Sequence, residues 1–128
     1  MIEEQLKVEA GEARDHCRLT KSTVRVGCAI MSTEGAIYTG CNFDLEFGVT
    51  IHAETCAIAN LVVNSTSTDE KIQAILIYSD RDFTPCGSCR DQIRFMATPE
   101  VEIYSYNEKT NVMKLFTMDD LLPHYPTR

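Results

Sequence analysis

Three observations on this sequence of 128 residues predict an α/β fold: a three-layer α/β/α sandwich around a five-stranded mixed sheet. Helix and strand periodicities alternate along the chain. A nearly continuous apolar run occupies its middle, and only Asn107 to Thr110 separate the last two strands. A central strand that is apolar on both faces needs cover on both sides. Parallel neighbours need a crossover of about a dozen residues, so the short final connection makes the last two strands antiparallel. The length suits one domain with one core, residues 1–128.

Ile2, Leu6, Ala10, Ala13 and Cys17 recur at steps of three or four, which predicts an amphipathic helix over residues 2–17. Gly11 weakens it slightly. Val24, Val26, Cys28 and Ile30 then alternate with other residues, the period of a strand with one buried face. Residues 32–35 form a turn, and 36–41 return as the hairpin partner. Small and apolar residues over 52–63 fit a buried helix. The run 72–78 is the strand covered on both faces, and Pro85 precedes a helix over 86–96. Residues 101–106 and 111–116 are two further strands. Thr117 with Asp120 makes a helix cap for a last short helix ending at Pro123.

Composition narrows the function classes. The chain carries 12 basic and 19 acidic residues, a net charge of −7, whereas polymeric nucleic acid calls for a basic stripe. The one basic concentration, Arg14, Arg18, Lys21 and Arg25, follows acidic residues. No apolar run reaches the roughly 20 residues of a membrane helix. The N-terminus lacks the basic region of a secretory signal. A cytoplasmic protein with no membrane and no nucleic-acid polymer as partner is expected. Among six cysteines, Cys28, Cys41 and Cys56 sit in apolar or alternating runs where a reduced thiol acts as a small hydrophobe. Cys86 and Cys89 stand apart.

Two segments carry chemistry: His52-Ala53-Glu54 opening one helix and Pro85-Cys86-Gly87-Ser88-Cys89 opening another, with a whole strand between them. One imidazole and two thiolates suit a zinc ion, and three protein ligands leave a fourth position for water. Helix N-termini stabilise thiolates and hydroxide. Bound water with a pKa lowered to about 7 is a nucleophile at neutral pH. Glu54, two residues past His52, is then placed to move protons. His-x-Glu followed by Pro-Cys-x-x-Cys is an established signature of zinc nucleobase deaminases. Two other readings compete. Cys56, one turn after His52, would complete a closed four-ligand structural site in a non-catalytic zinc-binding module. Cys86 and Cys89 alone would suit thioredoxin-like redox chemistry, which leaves His52-Ala53-Glu54 unexplained.

The chain also resembles the cytidine deaminase family, including its blasticidin-S deaminase relatives, over nearly its whole length. Val24-Arg25-Val26-Gly27-Cys28-Ala29 is similar to the family's first strand, and Gly40-Cys41-Asn42-Phe43-Asp44 to its ribose-binding segment. Pro85-Cys86-Gly87-Ser88-Cys89-Arg90 matches the family's metal loop, and Leu121-Leu122-Pro123 its terminal motif. The resemblance implies a zinc-dependent aminohydrolase of a free cytosine nucleoside, working in pyrimidine salvage as a homotetramer or homodimer with sites built across subunits. Zinc would be held by His52, Cys86 and Cys89, with Glu54 as catalytic proton carrier. Asn42 and Asp44 would bind the sugar, and Val24, Ala53 and Tyr125 would contact substrate. Arg90 would donate to a zinc-bound sulfur.

Several positions depart from the family's pattern. His52-Ala53-Glu54-Thr55 replaces Cys-Ala-Glu-Arg, so one thiolate and its compensating arginine are lost together. Asp44 is one methylene shorter than the usual Glu, and Val24 stands where a Phe packs near the base. The tail Pro123-His124-Tyr125-Pro126 is closer to blasticidin-S deaminases, which leaves blasticidin S or another modified cytosine nucleoside as the alternative substrate. Related deaminases of tRNA adenosine or guanine place a helix between the last two strands, which the turn at 107–110 excludes.

Overall fold

The structure, a computed structural model, describes residues 1–20, 23–45 and 49–126. The elements run α1 (Ile2–Arg14), β1 (Gly27–Ser32), β2 (Ile37–Cys41), β3 (Phe43–Asp44), β4 (Thr50–Ile51), α2 (Ala53–Asn64), β5 (Ile72–Ser79), α3 (Gly87–Met96), β6 (Ala97–Asn107), β7 (Val112–Phe116) and α4 (Met118–Leu121). Five strands form one mixed sheet in the order β2-β1-β5-β6-β7, while β3 and β4 pair separately. β5 and β6 are parallel, and every other neighbouring pair is antiparallel, including β6 with β7.

Period-two alternation divides β1 and β5 between two cores. Ala29, Ala74 and Leu76 face α1, where they meet Leu6 and Ala10. Cys28, Ile30, Ile75 and Ile77 face the other way and pack with Ala53, Ala57, Ile58 and Leu61 of α2, Ile93 of α3 and Leu121 of α4. The apolar run at 72–78 is thus a strand with a helix layer on each face, as its composition requires. Burying each of these large side chains stabilises the fold by roughly 1.5–3 kcal/mol. Among the described residues no helix is long and apolar enough to cross a membrane.

Three boundaries differ from the sequence reading. The first helix stops at Arg14, and a tighter turn carries the chain on, with His16 N–H on the Ala13 carbonyl at 3.0 Å and Cys17 N–H on the Arg14 carbonyl at 3.1 Å. The first strand begins at Gly27, because Val24 and Val26 are bonded to Asn42 rather than to a sheet neighbour. Asn42 Oδ1 accepts the Val26 N–H at 2.9 Å and its Nδ2 donates to the Val24 carbonyl at 2.7 Å. β6 starts at Ala97, directly off α3, through a register shift opposite Ile72 to Ala74. The Thr117 cap has both reciprocal bonds with Asp120. Gly35, at φ +80°, closes the β1–β2 turn in the left-handed region that glycine enters without strain.

Candidate active site

The sheet delivers two helix N-termini to one place. β5 ends at Ser79, and the chain turns back through Pro85 into α3. α2 starts straight after β4. Such convergence past the carboxyl end of a parallel strand is a common site of ligand binding in α/β folds. His52 is the N-cap of α2 and Cys86 the N-cap of α3, both with extended backbone. Neither side chain caps its own helix, so both are free to face each other.

Cys86 Sγ lies 3.4 Å and Cys89 Sγ 3.5 Å from His52 Nδ1, and the ligand atoms of all three residues fall within 4.8 Å of one another. A tetrahedral zinc with bonds of about 2.3 Å to sulfur and about 2.0–2.1 Å to nitrogen holds S and N about 3.6 Å apart. The donor set therefore fits zinc in both chemistry and spacing. Cys56 lies outside this group. Its Cβ instead packs over Gly40 of β2, which removes the fourth ligand that a closed structural site needs. All six cysteines are free thiols.

Glu54 is buried beside these donors. Burial raises its pKa above the usual carboxylate range, only partly opposed by backbone hydrogen bonding and by the neighbouring His52 and Cys89. Burial also pushes the Cys89 thiol up, and the nearby Glu54 and Cys86 charges push the same way. A bound cation reverses that logic for a thiol.

A cleft of about 290 Å³ opens on this group, lined by Val24, Val26, Asn42, Thr50, His52, Ala53, Glu54, Ile77, Phe83, Thr84 and Cys86. That is close to the lower end of small-molecule pockets. Val24, Asn42 and Ala53 thus reach the cleft. Asn42 Oδ1 accepts from Val26 N–H and from Cys17 Sγ at 2.8 Å, and Nδ2 donates to Val24. One amide hydrogen is left over from those bonds. Phe83 and Thr84 line the cleft without having been singled out in the sequence. Their adjacency to Pro85 and Cys86 was the available signal.

Arg90, Tyr125 and Asp44 are not among the residues that line the cleft. Arg90 donates to the Pro85 carbonyl at 2.6 Å, the Leu121 carbonyl at 2.8 Å and Thr84 Oγ1 at 2.8 Å. It ties the metal loop to α4 and sends these donors to oxygen, not to sulfur. Tyr125 lies on the outer face of α3, where its hydroxyl donates to Asp91 and the Arg94 guanidinium stacks 4.0 Å from its ring. It is outside the lining of the cleft. Asp44, on β3 opposite Thr50, is also outside the lining, its N–H bonded to the Arg18 carbonyl at 2.9 Å.

Comparison with known proteins agrees with this geometry. Residues 2–105 match the cytidine and deoxycytidylate deaminase zinc-binding region. The chain is 29% identical to a cytidine deaminase of Sporosarcina psychrophila, covering 92% of this chain and 93% of that protein. It is 30% identical to a cytidine deaminase of Mycoplasma pneumoniae over 87% of this chain and 84% of the relative. The crystal structure of a cytidine deaminase from Burkholderia pseudomallei superposes with a TM-score of 0.86 at 24% identity, covering 97% of this chain and 98% of that one. The chain belongs to the cytidine and deoxycytidylate deaminase family.

Proposed function

We propose that the chain hydrolytically deaminates a free cytosine nucleoside, converting cytidine or deoxycytidine and water into uridine or deoxyuridine and ammonia. The observation that carries this reading is the convergence of His52, Cys86 and Cys89, at zinc-ligand spacing, beside the buried Glu54 at the floor of a nucleoside-scale cleft. These three residues would hold the zinc. Zinc there supplies Lewis-acid polarisation and a water nucleophile active near neutral pH.

Glu54 takes one proton from the attacking water and passes it to the ring nitrogen, then takes the second from the hydroxyl added to the ring carbon and gives it to the amino group, which leaves as ammonia. Its raised pKa suits a group that must both accept and release a proton. Ala53, first residue of α2, brings a backbone N–H with no intrahelical partner to the cleft. Val24, Val26, Ile77 and Phe83 supply apolar walls that exclude water from the base. Asn42 offers its remaining amide hydrogen to the sugar, and Asp44 serves the same end on approach of substrate.

The same reading places the protein in the cytoplasm, in pyrimidine salvage, as a homotetramer. Val63 on α2 and Phe95 on α3 are 80% and 70% exposed, apolar area that subunit contacts would cover. Tyr125 would contact substrate only across such an interface. A stable monomer in light scattering would count against the assembly. Ammonia release from cytidine, deoxycytidine, cytosine and blasticidin S tests the substrate. Turnover of cytidine or deoxycytidine is expected. Turnover of blasticidin S alone, or of none by fully zinc-loaded protein, would refute the assignment.

A further inference from the structure

The metal and proton chemistry leaves Thr55, Gln92 and Ser88 without a task, yet they form a continuous polar chain ending on a metal donor. Thr55 Oγ1 lies 3.9 Å from Cys89 Sγ and donates to Gln92 Oε1 at 2.9 Å. Gln92 Nε2 donates in turn to Ser88 Oγ at 3.1 Å. Thr55 stands on the first turn of α2, and Ser88 and Gln92 are one turn apart on α3. The chain therefore bridges the two helices whose N-termini carry all three metal donors.

We propose that Thr55 is a positioning residue for the Cys89 thiolate, donating its hydroxyl proton to Sγ while Gln92 turns its amide to hold the Thr55 oxygen. The inference rests on the zinc reading of His52, Cys86 and Cys89.

Donor and acceptor supply sets the arrangement. A threonine hydroxyl has one proton to give. As the structure stands, the threonine proton goes to Gln92 Oε1, and the 3.9 Å contact with Cys89 Sγ can run in either direction. A thiolate carries no proton and only accepts, so Thr55 becomes the donor to sulfur. Its link to Gln92 then survives if the amide rotates and presents Nε2–H. The Ser88 hydroxyl, which donates or accepts equally well, follows by donating to Oε1. Each group keeps a partner in both states, and no atom moves except by rotation about a terminal bond.

Cys89 is buried, so water is a poor substitute for this donor. Arg90 spends the bonds described above on Pro85, Leu121 and Thr84. Two thiolates and one imidazole already balance a divalent charge, so a neutral donor suffices where a cation would add excess charge. Partners of metal ligands of this kind change metal affinity by about 10–100-fold when removed.

The test compares wild type with Thr55→Val, Thr55→Ser and Gln92→Leu by zinc competition against a chromophoric chelator. Cobalt-loaded protein then reports the thiolate-to-metal charge-transfer band. Thr55→Val, which keeps the shape and removes the proton, should weaken zinc by about 10-fold or more and shift the band. Thr55→Ser should stay within about twofold of wild type, with Gln92→Leu between the two. Wild-type affinity and an unshifted band in Thr55→Val would overturn the relay, as would a loss in Thr55→Ser equal to that in Thr55→Val. Should Thr55→Val fail to fold metal-free, the Ser and Leu variants decide by the same criteria. Wild-type protein whose zinc binding is absent, or unchanged by His52→Ala, would overturn the zinc reading and this inference with it. An intact zinc site indifferent to Thr55 overturns this inference alone.

Discussion

Gly40 lies in β2 directly beneath α2, and replacing it with alanine tests how closely the site depends on that packing. A Cβ there would stand 2.4 Å from the Ala57 nitrogen, 2.6 Å from the Ala53 carbonyl oxygen and 2.8 Å from Cys56 Cβ. Ordinary van der Waals contact begins at 3.4 Å, so α2 must lift by about 1 Å. Two of the three obstructing atoms are helix backbone, which no rotamer change relieves. Overpacking of this kind costs about 1–3 kcal/mol, and the upper half applies here. At this chain length that lowers Tm by about 10 °C. The same lift displaces His52 and Glu54 relative to Cys86 and Cys89, and a misplacement of about 1 Å can cost about 100-fold in rate. Thermal unfolding, zinc competition and the rate of ammonia release on one preparation measure all three effects. A Gly40→Ala protein with Tm and rate close to wild type would refute the claim that this contact sets the site's geometry.

Arg90→Leu should cost about 1–2 kcal/mol, because it leaves the part-buried Pro85 and Leu121 carbonyls without this donor, while the cobalt charge-transfer band stays at its wild-type position; a shifted band would restore a role at sulfur. Glu70 is held below the usual carboxylate range by the Ser32 and Tyr38 hydroxyls and by Thr66. Its folded pKa is thus depressed, so its contribution is present above the unfolded value of 4.5 and lost as pH falls through the folded one. Glu70→Gln should be less stable at pH 7, and its Tm should fall less than that of wild type on acidification to about pH 3. Equal acid dependence of the two proteins would contradict this. Chelation of zinc from protein at 100 to 1,000 times its Kd should remove about 3–4 kcal/mol of stability, whereas Cys86→Ala and His52→Ala should show no response to chelator in thermal unfolding.

The sheet was readable because its signals are local. Alternation in Cys28 and Ile30, the apolar run at 72–78 and the four residues at 107–110 each fix one feature without tertiary information. The antiparallel β6–β7 pair followed from chain length alone. Val24 and Val26 show where such reasoning ends, since their alternation serves the cleft wall and the Asn42 side chain, not a ladder. The pairing of β3 with β4 was not legible, because two-residue strands carry no period.

At the site, residue type and spacing were enough to select His52, Cys86 and Cys89, which the fold brings within ligand distance. The partners of Arg90 and Tyr125 were not legible for a different reason. A side chain's target depends on neighbours such as Leu121, Thr84 and Asp91, distant in sequence or not distinguished by type. Phe83 and Thr84 line the cleft through the return of the chain from β5, which only their adjacency to Pro85 and Cys86 announces. Thr55 was noted only as the residue in place of an arginine, and its contact with Cys89 needed the packing of α2 on α3.

The most direct test measures zinc content and deamination rate together in wild type and Glu54→Ala. The account predicts one zinc per chain in both, near-identical folding, and a rate on cytidine or deoxycytidine lower by about 100- to 10,000-fold or more in the variant. A Glu54→Ala protein that binds zinc and turns over substrate at the wild-type rate would contradict it.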